Sequence, residues 1–536
     1  MRNSNFLNKI ASPLIFSMLI VVGIFIGSYF NLIEDSSLNP QNEKFSKLDV
    51  LLDYIDQEYV DTIDGYSFTE NIIPKILESL DPHSMYIPAK DLLDINESLA
   101  GNFEGIGVQF NVVKDTIIII NTITGGPSEK VGVLAGDRII KINDTLVAGV
   151  KIKNEDVISK LKGPKGTTVT ISVYRKNFND LIDIDITRDE IPLYSVDASY
   201  MIDEKIGFIK ISKFSSTTYQ EFKKSVSQLQ KLGMKKMILD LRGNGGGYMD
   251  GAIKIADEFL DDKKLIVYTE GKARPKTVSY ATKRGICQET EVIILIDEWS
   301  ASASEIVAGA IQDNDRGQIV GRRSFGKGLV QEQTILQDGS AIRLTIARYF
   351  TPTGRSIQKP YSDNNEDYID EITERFVHGE FEHADSIKFP DSLKFYTPKG
   401  NIVYGGGGIM PDIFVPVDTI GWTPYLSEVI NRGIIYQFAF EYVDKNRPRL
   451  SKFLNFKELT EHLDKIHLMN QFIVFATNKG VQKKYDEIKI SESILNTQIK
   501  ANIARNIFGD ESYYPIIQDV DTVLKRAINS FQKKNL

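Results

Sequence analysis

Three short segments hold the residues best placed to do chemistry. The first is LDLRGNGGG at 239–247, where a strand-like run ends and a helix-like run follows. Glycines at such a junction let the backbone approach a ligand closely and turn its N–H groups toward an anion. The plainer reading is a tight loop with no further role. The second is EWSASASEIVAG at 298–309, directly after the apolar run VIILID. A serine at a helix amino terminus has free backbone N–H groups and a partial positive charge beside it, the makings of an oxyanion site. Against that, serine is also a routine N-cap, and Ser300, Ser302 and Ser304 all compete for the position. The third is GRRSFGKGLVQEQ at 321–333, with Lys327 between two glycines. Residues 321–327 fit the body of a phosphate-binding loop, but that motif needs Ser or Thr next, and Gly328 stands there. A nucleotide-hydrolysing role is therefore set aside.

Taken together, the segments supply a serine, a donor-rich glycine loop and a lysine. The five histidines (His83, His378, His383, His462 and His467) stand in ordinary contexts. A serine hydrolase without histidine can use lysine as its base. The lysine must then be largely neutral, so burial has to lower its pKa. A neutral polar residue such as Gln331 can hold the amine without restoring its charge, as a carboxylate would.

Composition narrows the alternatives. The chain has 536 residues, 42% of them hydrophobic and 25% charged, which is ordinary for a globular protein of several domains. Its formal net charge of −8 argues against nucleic acid as a partner. Cys287 is the only cysteine, so an internal disulfide and a cysteine-based zinc site are both excluded. Neither a metal nor another cofactor is implied.

The positioning elements follow from periodicity. Residues 10–33 carry no charge, and a helix of that length spans about 36 Å, enough to cross a bilayer core. Arg2 and Lys9 precede the segment, and Glu34 and Asp35 follow it, which predicts a signal anchor with the rest of the chain exported. A cleaved signal peptide is the alternative. Residues 34–100 read as helical. Residues 101–190 change to short β-rich runs separated by glycine turns. Residues 191–417 alternate strand and helix, which predicts an α/β core with a central sheet. Within them, the acidic and turn-rich residues 359–400 read as a surface insertion. Residues 418–536 read as helical and carry no motif. The expected fold class is a multidomain α/β (α+β) protein.

These motifs, in this order, resemble the carboxyl-terminal processing peptidases, or tail-specific proteases. The resemblance rests on LDPHSMY (80–86), FEGIGVQF (103–110), GGPSEKVGVLAGDRIIKIND (125–144), LDLRGNGGG, SASASEIVAGAIQD (300–313), GRRSFGKGLVQ and ARYFTPTGRSIQ (347–358). It covers about residues 45–417. It implies a serine peptidase of the bacterial envelope with a Ser–Lys pair and an embedded PDZ domain at 101–190. The implied nucleophile is Ser302, the general base Lys327 and the lysine-orienting residue Gln331. The implied oxyanion donors are the N–H of Ala303 and that of Gly246 or Gly247. The implied carboxylate-binding loop is Gly105, Ile106, Gly107 and Val108, with protein or peptide substrates bound by their free carboxyl ends. The implied location is the periplasmic side of the inner membrane. A catalytically inactive PDZ-type scaffold on the same fold is the alternative. Nothing in the sequence names an adaptor, an oligomeric state or a substrate.

Overall fold

The computed structural model describes residue 22, residues 46–176, 178–361 and 365–533. The apolar segment 10–33, read above as a signal anchor, lies outside these residues apart from Val22. Among the described residues, no helix is long and apolar enough to cross a membrane. The chain divides into two compact units, Met1–Ile76 and Leu77–Leu536. In the first lies the helix Ser46–Glu58, whose Leu48, Leu51 and Tyr54 are exposed.

The second unit is a mixed α/β assembly built on several sheets. Its central sheet has the order Val196–Met201, Ile206–Ile211, Lys236–Asp240, Glu291–Ile296, Gln318–Gly321, Ile413–Phe414. The first pair is antiparallel and the rest are parallel. Alternate side chains go to opposite faces, as the two-residue period of a strand requires. Met237 and Leu239 pack on one face with Phe222, Ile255 and Val307, which lie on the helices Thr218–Lys231, Met249–Asp257 and Ala303–Asp313. Ile238 and Leu295 go to the other face and meet Leu524, Ala527 and Phe531 of the helix Thr522–Lys533. The strand Leu265–Glu270 does not join this sheet. It belongs to a second, antiparallel sheet with the hairpin Leu329–Ile335 and Ala341–Phe350. The hairpin turns through Asp338 and Gly339, where φ of +86° suits glycine.

The β-rich region has a hydrophobic core of its own, from Ile106 to Ile186. Its sheet runs Val108–Val112, Ile117–Thr122, Arg138–Ile142, Thr168–Tyr174, Ile182–Thr187. The helix Asn154–Leu161 buries Val157 and Leu161 in that core. The strand Val108–Val112 stands at the edge of the sheet, so one row of its backbone groups is unpaired within it.

Residues 359–400 are mostly exposed or half-buried but are partly inserted into the body of the unit. They form a helix, Asn365–Val377, whose Tyr368 and Arg375 are 4% and 3% exposed. Two acidic residues of the segment are paired with buried cations. Glu371 accepts from Lys359 at 2.9 Å, and Glu380 pairs with Arg323 at 2.8 Å and Arg375 at 3.0 Å. After Thr423 the chain is helical and closes around a separate core centred on Phe438, Phe472, Leu495 and Ile499.

Candidate active site

Ser302 sits where the buried strand Glu291–Ile296 gives way to the helix Ala303–Asp313. It occupies the N-cap position with φ 56° and ψ −112°, a sharp and strained turn for a residue with a side chain. Strain of this kind is worth about 1–3 kcal/mol and persists only where surrounding bonds enforce it. Here they do. Ser302 N–H donates to Glu305 at 2.8 Å, and the Ser302 carbonyl accepts from Glu305 N–H at 2.9 Å and Ile306 N–H at 3.0 Å. The competing serines point elsewhere. Ser300 donates to the Leu241 carbonyl and Ser304 to the Asn244 carbonyl, each at 2.9 Å and each fully buried.

Glu305 is the residue that sequence reasoning missed. It is wholly buried and takes four donors: Ser302 N–H, Ser324 Oγ at 2.6 Å, Gly326 N–H at 2.7 Å and Lys327 N–H at 2.9 Å. Burial pushes its pKa up, and the converging donors oppose that rise. The carboxylate therefore ties the Ser302 turn to the Lys327 loop. Its signal was present as the S-x-x-E spacing from 302 to 305, the spacing of a capping box.

The glycine loop packs against this turn. A Cβ at Gly246 would lie 2.7 Å from Ser302 Cβ, and one at Gly247 would lie 2.1 Å from the Phe214 carbonyl. Both glycines also have positive φ, of 101° and 139°, so a side chain is excluded at both on two counts. Of the two glycines expected as oxyanion donors, Gly246 donates its N–H to Asn244 Oδ1 at 2.9 Å. Ala303 N–H belongs to the first residue of the helix and has no acceptor in the turn before it. Gly247 bridges Phe214 through the flanking Gly246 carbonyl and Tyr248 N–H, so its own N–H is not used there. Among the described residues, the N–H groups of Ala303 and Gly247 thus take no acceptor, while that of Gly246 does. Just upstream, burial favours the neutral form of Asp240, yet Arg242 and Lys210 hold its pKa at about 2. Arg242 in turn reaches Asp521 at 2.7 Å.

Lys327 and Ser302 line one cavity of about 900 Å³, together with Gly247, Gln331 and Arg343. Burial lowers the lysine pKa first, and the nearby Arg343 lowers it further. Lys327 Nζ donates to Gln331 Oε1 at 3.0 Å, and Gln331 Nε2 donates to the His83 carbonyl. Among the described residues, no hydrogen bond joins Lys327 Nζ to Ser302 Oγ, so the lysine is docked on Gln331 in this conformation. The imidazole of His83 meets the Tyr368 hydroxyl at 2.9 Å, and its pKa falls to about 4 through burial and Lys327. It stays neutral near pH 7. Among the described residues, no cluster of acidic, cysteine or histidine side chains could hold a metal.

Residues 105–108 line a second, apolar pocket of about 320 Å³ with Phe103 and Leu161. The Ile106 carbonyl accepts from Ser128 N–H at 3.2 Å and Oγ at 2.6 Å, and the Gly107 carbonyl accepts from Ile123 N–H at 2.9 Å. Both loop carbonyls are therefore committed to the body of the region.

A strained serine elbow beside a glycine loop, with an edge-stranded β region in the same chain, defines a serine peptidase with a PDZ domain. Comparison with known proteins agrees. The model of peptidase family S41 matches residues 205–366, that of the PDZ domain residues 105–186, and that of a family of unknown function (DUF8443) residues 425–509. A carboxy-terminal-processing protease of Bartonella bacilliformis is 35% identical over 347 residues, covering 63% of this chain and 79% of that protein. The carboxy-terminal processing protease CtpA of Bacillus subtilis is 35% identical over 338 residues, covering 63% and 71%. Among solved structures, the photosystem II D1 C-terminal processing protease aligns at 23% identity with a TM-score of 0.35, covering 69% of this chain and 92% of that one. The chain belongs to the carboxy-terminal processing protease family.

Proposed function

We propose that this protein is an exported endopeptidase in which Lys327, in its neutral form, takes the proton of Ser302 as the hydroxyl attacks a peptide carbonyl near a substrate's carboxyl end. The observation that carries the reading is the shared cavity, in which a desolvated lysine and a strained serine face the same space. Gln331 holds the amine through an uncharged acceptor and so leaves its pKa low. The developing oxyanion falls to Ala303 and Gly247. The substrate's free carboxylate docks at residues 105–108, and its last residues add as a strand to the open edge of Val108–Val112. The uncharged run 10–33, with Arg2 and Lys9 before it and Glu34 and Asp35 after it, anchors the enzyme in the inner membrane with its catalytic part outside the cytoplasm.

The test is digestion of an unstructured protein by the full chain, with EDTA present and no nucleotide. Cleavage is expected, and Ser302→Ala should abolish it. Undiminished cleavage by Ser302→Ala would sink the assignment. Accessibility of the chain to added protease in intact and osmotically opened cells tests the topology.

A further inference from the structure

The C-terminal helices are seated directly on the PDZ region. Phe440, on the helix Ile434–Leu450, packs against Ile118 and Ile120, and Arg138 pairs with Asp444 at 2.8 Å. Beside this seam, a further chamber of about 500 Å³ adjoins the groove between the strand Val108–Val112 and the helix Asn154–Leu161. Val108, Phe110 and Ile158 line both spaces. The outer side of the further chamber is made by Tyr436, Arg505 and Asn506, on the helices Ile434–Leu450 and Tyr485–Phe508.

Asn506 marks this wall as unfinished. It is 2% exposed, and its Nδ2 donates to the Asn502 carbonyl at 2.8 Å. Its Oδ1 is buried and has no donor anywhere among the described residues. A buried acceptor left without a partner costs about 1–3 kcal/mol, so a ligand that brings an N–H is favoured. The remaining polar lining comprises the amides of Gln109, Asn121 and Asn154, the Tyr436 hydroxyl and the Asp510 carboxylate. The one guanidinium, Arg505, is already paired with Asp510 at 2.5 Å.

We propose that the C-terminal helical unit is the outer wall of the substrate groove. The substrate segment upstream of the carboxyl end lies between Val108–Val112 and this wall. The segment is held through its backbone, because the amides of Asn506 on the wall and of Gln109, Asn121 and Asn154 opposite it can pair with either half of a peptide group, while the Arg505–Asp510 pair is closed on itself. This rests on the carboxyl-end reading above. A peptide antiparallel to Val108–Val112 advances about 3.3 Å per residue, which brings roughly its third to fifth residues from the end alongside Phe110 and the wall. Capture is then sensitive to tail length and tolerant of tail sequence.

The experiment uses the full chain carrying Ser302→Ala, so that nothing is cleaved. Fluorescent peptides of three and eight residues share the same last three residues. The longer peptide should bind about tenfold or more tightly, the equivalent of one or two further hydrogen bonds. Adding Asn506→Leu should remove most of that gain and leave the three-residue peptide unaffected. Equal weakening of both peptides, or no change in either, would overturn the wall, the first outcome assigning Asn506 to interdomain packing. Equal binding of the eight-residue acid and its carboxamide, with the length effect intact and lost in the variant, would overturn the carboxyl-end reading and leave the wall standing. If neither peptide binds, both fall.

Discussion

Around Ser302 the buried polar groups have partners. Glu305 takes four donors, and Asn244 is tied at Nδ2, at Oδ1 and at its carbonyl, which accepts from both Ala301 and Ser304. At the seam between the PDZ region and the C-terminal helices, Asn506 Oδ1 and Arg447 Nε are both buried and both without one. The contrast separates two ways of building a site. Catalysis needs donors and acceptors fixed before the substrate arrives, because reorganisation during the reaction costs rate. A groove that binds an extended chain is completed by the chain itself, and its unmet groups are what the chain supplies.

If the core works as a preorganised unit, its failures should be large and indivisible. Lys327→Arg keeps a cation of similar length but one that cannot serve as a base. It should lower kcat by ~10⁴-fold or more with an unchanged circular dichroism spectrum, and combining it with Ser302→Ala should add little. Next comes the strut. Glu305→Gln preserves size but sets an amide against N–H donors, so it should cost about 2–4 kcal/mol in chemical denaturation and lower kcat roughly 100-fold through misplacement alone. A fully active Glu305→Gln would break the picture of a shared carboxylate. The groove should fail more gently. Converting a substrate's terminal carboxylate to a carboxamide should reduce kcat/KM about 10- to 100-fold, mostly through KM, because it removes a charge-assisted contact far from the reacting bond.

The smallest effect lies in pH. Lys327 has a pKa below its ordinary 10.5, so the rate should rise with pH along a limb centred below that value. No limb from His83 is expected near pH 6.5, since its pKa lies near 4. The sign for stability follows from proton counting. Between the lowered folded value and 10.5 the unfolded chain binds more protons, so stability increases as pH rises through that window. Lys327→Met should therefore be more stable than the parent near pH 7, and the difference should shrink toward pH 10.5. A parent more stable than Lys327→Met near pH 7 would mean that the lysine is not desolvated.

Much of this arrangement was legible in the sequence, and the illegible parts share a cause. The strands and helices around 206–313 follow their periods, and Ser302, Lys327 and Gln331 meet in one cavity as their motifs imply. Within residues 359–400 the acidic composition signals solvent, and it does not show that Glu371 and Glu380 face the buried cations Lys359, Arg375 and, from outside the segment, Arg323. Three adjacent glycines are equivalent as letters, and only the Asn244 carboxamide shows which amide is already taken. The groove wall was invisible because its residues stand more than 300 positions from the strand they face.

Arg242 follows the strand that leads into the glycine loop, yet its partner Asp521 lies 279 residues further on, at the start of a helix that covers the back of the central sheet. Until the helix Thr522–Lys533 packs, one face of the sheet is bare and Arg242 lacks its second carboxylate. The turn that opens the glycine loop is therefore fully braced only when two segments 279 residues apart have come together, so local order at that loop reports on the folding of the whole unit.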